Sequence, residues 1–161
     1  MKYDDASWHY GGDFPSGLPE SAGATHMGMF IVWLFLAGLS NKEDTIDLDS
    51  LISRKQTPGE FVMSELDEKF VDLFLSEEGN AFAQVYYASD RAKYIFDYEM
   101  TIAKNLPTVY HVKDTWQNYD LLKPVIDKRY EDWRNNNSKS NRSDSGENLI
   151  QRILSRFSKK G

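Results

Sequence analysis

Residues 25–39 read THMGMFIVWLFLAGL, and this stretch decides the fold. Its uninterrupted apolar run, Met27 to Leu39, is 13 residues long. A helix that spans a membrane needs roughly 18 or more such residues. A helix that is apolar on nearly every face is typical of the centre of a domain, where other helices enclose it. The sequence therefore predicts a buried central helix that is capped by Ser21 or Thr25 and ends near Gly38.

Helical patterns continue after this central segment. Thr57, Pro58 and Glu60 form a capping box, which predicts the start of a helix. The apolar stripe that follows at helical spacing consists of Val62, Leu66, Phe70, Leu73 and Phe74. Further helices are predicted to begin at Ser76 and at Asp90.

A second capping box, Asp114 with Gln117, predicts one more helix, and Pro124 is expected to kink it or make it restart. Its apolar stripe consists of Trp116, Tyr119, Leu122, Ile126, Tyr130 and Trp133. We therefore expect a mainly α fold, a single globular multi-helix domain around the buried central helix. Residues 2–20 and the stretch NLPTVYHV leave room for one or two short strands.

Composition divides the chain into three predicted segments. Residues 1–134 form the helical domain, residues 135–145 a flexible polar linker, and residues 146–161 a C-terminal amphipathic basic helix. The apolar stripe of this last helix could dock on its own domain, on a partner or on an anionic membrane surface. That stripe consists of Leu149, Ile150, Ile153, Leu154 and Phe157.

Charge is unevenly distributed along the 161 residues. Residues 1–134 carry 13 Lys and Arg against 23 Asp and Glu, a net charge of −10. Residues 135–161 carry 6 against 2, a net charge of +4, so the two parts add up to the −6 of the whole chain. Binding to a nucleic-acid backbone requires clustered Lys and Arg, and the acidic body argues against nucleic acid as a partner. The acidic body would instead attract a basic protein at long range, or it simply keeps the protein soluble.

The chain contains no cysteine, which excludes disulfides, thiolate metal ligands and cysteine nucleophiles. The residues MKYDDASWHY lack the apolar stretch of a signal peptide. We therefore expect a cytoplasmic protein that does not insert stably into a membrane.

Residues 2–15, KYDDASWHYGGDFP, combine aromatic and ionisable side chains and raise two hypotheses. One is a metal-assisted hydrolase, whose carboxylate and imidazole groups would be Asp4, Asp5, His9, Asp13 and His26. The other is a structural arm, whose aromatic side chains pack on the core while its carboxylates cap helices or face water. No HExxH, CxxC, GxSxG or P-loop pattern supports catalysis. We therefore expect no catalytic residue, no bound metal and no cofactor.

The same arm, together with LPESAGATHMGMF, EEGNAFAQVYY and VYHVKDTWQNYDLLKPVIDKRYEDWR, resembles a family of small bacterial proteins of unassigned function. The resemblance covers roughly residues 2–134. Such proteins are similar to the immunity proteins encoded beside toxins that bacteria deliver to one another. The resemblance implies that the chain binds a cognate, basic toxin and neutralises it by covering its active or substrate-binding surface. The residues expected to contact that partner are Asp4, Asp5, Trp8, His9, Tyr10, Asp13 and His26.

Overall fold

The structure is a computed structural model that describes residues 1–10, 14–41, 46–89 and 93–157, with side chains described as far as Lys139. Two compact units make up the chain, Met1–Ile126 and Asp127–Gly161. The fold is mainly α, as predicted: the described residues form six α-helices and one two-stranded antiparallel sheet.

The central helix predicted from the sequence is α1, Thr25–Leu36, and its residues from Thr25 to Phe35 are all buried. This confirms a central helix enclosed on every side, because burial continues around the whole circumference of α1. Its N-cap residue is Ala24, which makes no side-chain cap, so the predicted cap at Ser21 or Thr25 is wrong. Residues 20–24 instead lead into α1 as a 3₁₀ turn.

The predicted end of α1 at Gly38 is confirmed. Gly38 has a φ of 74°, a left-handed conformation that glycine adopts without strain. Its backbone N–H donates to the carbonyl of Phe35 at 3.0 Å, and Leu39 N–H donates to the carbonyl of Leu34 at 2.9 Å. These two bonds form a Schellman motif, which satisfies the carbonyls left open at the end of the helix.

The helices that enclose α1 include α3 (Pro58–Glu65), α4 (Glu77–Tyr86) and α5 (Lys93–Tyr98), and a short α2 (Asp49–Ile52) precedes α3. Much of the enclosure is aromatic. The ring of Phe30 has neighbouring ring centroids at 5.0–6.0 Å, and these belong to Phe70, Phe82, Tyr86, Tyr87 and Tyr94.

Two predicted helix starts are confirmed. Helix α3 begins at Pro58, and Thr57 N–H donates to Oε2 of Glu60 at 2.9 Å, as a capping box requires. Helix α4 is capped by Ser76, whose Oγ accepts from Gly79 N–H at 3.1 Å. The predicted start at Asp90 lies outside the described residues.

The sequence predicted that the apolar stripe after the capping box lies on one helix, and this prediction is wrong beyond Leu66. Asp67 and Glu68 have φ angles of 50° and 63°, and this left-handed turn ends the helical path. Phe70 then lies on strand β2 (Lys69–Val71), which pairs antiparallel with strand β1 (Lys2–Asp5). The stripe therefore divides among α3, strand β2 and the 3₁₀ turn Asp72–Phe74 that follows β2.

The last helix, α6, runs from Trp116 to Phe157, and its beginning differs from the prediction. Asp114 does not cap it. Oδ2 of Asp114 instead accepts hydrogen bonds from Gly59 N–H at 2.9 Å and Glu60 N–H at 3.2 Å, at the start of α3. The hydroxyl of Thr115 caps α6 in its place and accepts from the backbone N–H at position 118 at 3.3 Å.

Helix α6 continues through Pro124, so it does not restart there, and the kink that was the other predicted outcome stays a prediction. It also includes residues 135–145, which are helical in the structure rather than a break between helices. The division of the chain falls after Ile126 and not after residue 134. The separate behaviour of the tail stays a prediction, because the side chains of its docking stripe, Leu149, Ile150, Ile153, Leu154 and Phe157, lie outside the described residues.

Helix α1 approaches α3 so closely that only glycine fits at position 28. A Cβ added to Gly28 would lie 2.6 Å from the carbonyl oxygen of Pro58. We predict that Gly28→Ala destabilises the protein by about 1–3 kcal/mol, because backbone atoms cannot yield as a flexible side chain would. Chemical denaturation measures this change. The control is Gly17→Ala, where a Cβ meets nothing within 4 Å; equal effects of the two substitutions would contradict the close approach.

Candidate functional site

The carboxylate of Asp4 is the centre of a hydrogen-bonded cluster, although the residue is only 7% exposed. Its Oδ1 accepts from the backbone N–H of Asp5 at 2.8 Å and lies 3.0 Å from Nε2 of His9. Its Oδ2 lies 3.2 Å from Nε2 of His26 and accepts a hydrogen bond from the hydroxyl of Tyr87. The lone-pair positions of an ionised carboxylate are therefore all used.

Local structure brings these side chains together. Asp4 lies on β1, and the 3₁₀ turn Ala6–His9 reverses the chain so that the ring of His9 returns to Asp4. His26 belongs to the first turn of α1, so the cluster joins the arm to the central helix.

Asp5 does not join the cluster, although the sequence grouped it with Asp4. Its Oδ1 accepts from the backbone N–H and the hydroxyl of Ser7 at 3.0 and 2.6 Å, which caps the 3₁₀ turn. Its Oδ2 accepts from Nζ of Lys2 at 2.6 Å, and these contacts lower the pKa of Asp5. Asp13 lies outside the described residues. Of the predicted set, the structure therefore brings together Asp4, His9 and His26.

Burial by itself would raise the pKa of the Asp4 carboxyl. Hydrogen bonds from His26, His9 and Tyr87, together with the charge of His26, outweigh burial and lower this pKa well below its usual range. Burial and the negative charge of Asp4 raise the pKa of Tyr87. Tyr87 therefore keeps its proton and acts as a hydrogen-bond donor to an ionised carboxylate.

The second nitrogens of the two histidines have different surroundings. Nδ1 of His9 lies 2.9 Å from the hydroxyl of Tyr110, which fixes the orientation of the ring. Nδ1 of His26 is buried and has no hydrogen-bond partner among the residues described. The two imidazole rings meet edge to face, with centroids 4.7 Å apart.

The cluster borders a cleft of about 280 Å³. Asp4, His9 and His26 are part of its wall, and the other lining residues are Tyr3, Tyr87, Ala88, Ser89, Tyr94, Ile95, Val109 and Tyr110. The sequence did not indicate Tyr87 or Tyr110 as site residues. Tyr110 is 101 positions from His9 in the chain, and no local pattern predicts that such distant residues meet.

Asp4, His9 and His26 also have the chemistry of a metal-ligand set. One ligand atom from each lies within 4.8 Å of the others. Two imidazole nitrogens and one carboxylate oxygen are ligands that zinc and related divalent metals accept.

The residues predicted to contact a partner differ in exposure. Asp4, Asp5 and His26 are buried, so they offer little area to a protein surface. Trp8 is 58% exposed, and Nζ of Lys2 lies 5.2 Å from the centroid of its ring. Tyr10 is partly buried and donates from its hydroxyl to Glu68 at 3.0 Å. Among the members of this set that the structure describes, Trp8 is therefore the best placed to contact a partner.

A second exposed apolar side chain lies at the other end of the β1–β2 ribbon. Leu73 follows β2 and is 74% exposed. Trp8 follows β1, and the two strands are antiparallel, so Trp8 and Leu73 flank opposite ends of a short ribbon. We call Trp8, Asp67, Glu68, Asp72 and Leu73 the ribbon surface.

The hydrogen bond from Tyr87 to Asp4 gives a stability prediction. Tyr87→Phe should lower the free energy of unfolding by about 1.5–3 kcal/mol, because a buried carboxylate loses one of its donors. Tyr98→Phe is the matched control, since the Tyr98 hydroxyl is buried and has no partner among the residues described. That control should change stability little or raise it slightly. If the two variants unfold at the same denaturant concentration, the Asp4 cluster does not stabilise the fold as described.

No helix within the described ranges is long and apolar enough to cross a membrane. No curated protein and no solved structure matches the chain. One family model does match, DUF7832, described as a domain of unknown function, and it matches residues 2–112, about two thirds of the sequence. The matched region contains the arm, α1 and every residue that lines the cleft. The chain therefore belongs to the DUF7832 family.

Proposed function

We propose that this protein is an immunity protein that binds a basic bacterial toxin and neutralises it by covering the toxin's active or substrate-binding surface. The observation that carries the proposal is the ribbon surface, where the exposed Leu73 lies within the most acidic stretch of the chain, residues 60–78, and the exposed Trp8 follows the strand that pairs with this stretch. The resemblance of the sequence to immunity proteins supports the same function.

The acidic character of this region is concentrated in one stretch. Residues 60–78 contain seven carboxylates, Glu60, Glu65, Asp67, Glu68, Asp72, Glu77 and Glu78, and one basic residue, Lys69. Seven negative charges and one positive charge give −6, which equals the net charge of the whole protein. Complementary charge of this kind accelerates encounter with a basic partner and disfavours acidic ones.

The apolar anchors match what a tight interface requires. A stable complex buries about 800 Å² on each partner, and a few aromatic and apolar residues contribute most of the binding energy. Four residues of a strand extend roughly 13 Å, so one interface of this size can include both ends of the ribbon. Trp8 and Leu73 would then be anchors, surrounded by carboxylates that pair with Lys and Arg of the toxin.

The test is co-expression with the product of the adjacent gene. The proposal expects a stoichiometric complex on purification and rescue of growth in cells that produce the toxin. Absence of both the complex and the rescue would overturn it.

The anchor role of Trp8 gives a quantitative prediction. Trp8→Ala should raise the Kd of the complex about 30-fold, which corresponds to the roughly 2 kcal/mol of an interface hot spot. Phe96→Ala is the matched control, because Phe96 is 57% exposed and belongs to α5 rather than to the ribbon surface. Binding is measured by calorimetry. Equal losses in the two variants, or none in Trp8→Ala, would show that the toxin contacts another surface.

A metal-assisted hydrolase is the second candidate, and the convergence of Asp4, His9 and His26 beside a cleft favours it. Such an enzyme would use a bound cation to lower the pKa of a water molecule and generate a nucleophile. The test is turnover of chromogenic carboxylic and phosphate esters by the protein with added Zn²⁺. Turnover that is lost in His9→Gln would support this function. A protein that binds the metal but turns over no ester would count against it.

A further inference from the structure

We infer that Asp4, His9 and His26 form a binding site for one divalent transition-metal ion, with Zn²⁺ as the probe. The hydrolase candidate depends on this site, whereas the proposed toxin binding does not. The inference is therefore tested by metal binding itself.

The chemistry of the three side chains selects the class of ion. Ca²⁺ and Mg²⁺ prefer sites made of oxygen ligands, whereas imidazole nitrogen suits Zn²⁺ and related first-row metals. Two histidines with one carboxylate are also a typical protein ligand set of zinc sites that keep a position open. The cluster therefore points to a transition metal rather than to an alkaline-earth ion.

The distances are close to those that coordination needs. Ligand atoms about 2.0–2.1 Å from a tetrahedral ion lie about 3.3 Å from one another. The Asp4 carboxylate oxygens lie 3.0 Å from Nε2 of His9 and 3.2 Å from Nε2 of His26. All three ligand atoms lie within 4.8 Å of one another, so small side-chain shifts bring them around one ion.

When an ion binds Nε2 of His9, the ring must carry its proton on Nδ1, and the structure offers a hydrogen-bond acceptor for that N–H. A metal takes the lone pair of Nε2 on a neutral ring, so the ring proton moves to Nδ1. Nδ1 of His9 lies 2.9 Å from the hydroxyl oxygen of Tyr110, which can accept a hydrogen bond from the Nδ1–H group. Tyr110 then does what outer partners of metal-bound histidines usually do, which is to orient the ring.

The surroundings of Nδ1 of His26 do not distinguish the protein with a bound ion from the protein without one. Nδ1 of His26 lacks a partner among the described residues, whether it carries a lone pair or a proton. His26 therefore supports the site through its Nε2 and its position on α1, and not through its second nitrogen.

A zinc site with three protein ligands leaves a fourth coordination position open, and the cleft gives access to that position. Asp4, His9 and His26 contribute to the wall of a space of about 280 Å³. A water molecule or a small ligand can reach the ion from that side and fill a fourth position.

Without an ion, the two histidines donate hydrogen bonds to Asp4, and a metal must compete with that network. Both states stabilise the fold, so stability alone cannot distinguish them. Only the metal site predicts a saturable stoichiometry of one ion per chain that depends on His9.

The experiment uses the full chain, stripped with a chelator and titrated with Zn²⁺ by calorimetry and with Co²⁺ by visible absorption. We expect one equivalent of either ion to bind, and Zn²⁺ to raise the melting temperature. His9→Gln keeps a side-chain donor near Asp4 but removes the imidazole, and it should weaken Zn²⁺ binding by about 100-fold or more. His111→Gln is the matched control, because it removes the remaining histidine, which lies beside Thr108 and outside the cluster. This control should bind like the unaltered protein.

The outcomes of these titrations either support or overturn the metal site. No binding of either ion by the unaltered protein at about millimolar concentration overturns it, and so does equal binding by His9→Gln. If circular dichroism shows that His9→Gln does not fold, Tyr110→Phe decides instead. This variant removes the hydroxyl beside Nδ1 and should weaken binding by roughly 10-fold. Unchanged affinity in Tyr110→Phe would then overturn the inference.

Discussion

Helix α1 has no polar face, and the fold of Met1–Ile126 follows from the need to keep it away from water. Burying its side chains is favourable, because apolar surface removed from water stabilises at about 25 cal/mol per Å². Gly28 lets the backbone of α3 approach α1 directly. The ring of Phe30 gathers aromatic side chains from β2 and from the region of α4 and α5.

The polar arm covers the first turn of α1, and the Asp4 cluster forms where the arm meets this turn. A buried carboxylate without partners would be costly, but Asp4 has a donor for each of its lone pairs. The arm is thereby attached to α1 through His26. The same arrangement directs two imidazole nitrogens at one carboxylate beside a cleft. A structural anchor and a metal-ligand set are therefore compatible in these residues.

The proposed toxin contact and the proposed metal site use different chemistry. The ribbon surface combines exposed apolar side chains with carboxylates, which suits a large basic protein. The cleft is small and has ionisable groups in its wall, which suits an ion or a small molecule. Trp8 and His9 are neighbours in the sequence, yet Trp8 is exposed while His9 turns towards Asp4. One short segment thus contributes to both features.

The sequence by itself determined what depends on near neighbours in the chain. The apolar run of α1, its end at Gly38, and the caps at Thr57 and Ser76 are local, because each is made by residues within a few positions of one another. It also predicted that Asp4, His9 and His26 could share chemistry. Only the tertiary structure decided that Asp114 serves α3 rather than α6, and that Tyr87 and Tyr110 complete the cluster. These outcomes depend on contacts between distant residues, and packing around α1 selects them where local patterns allow several.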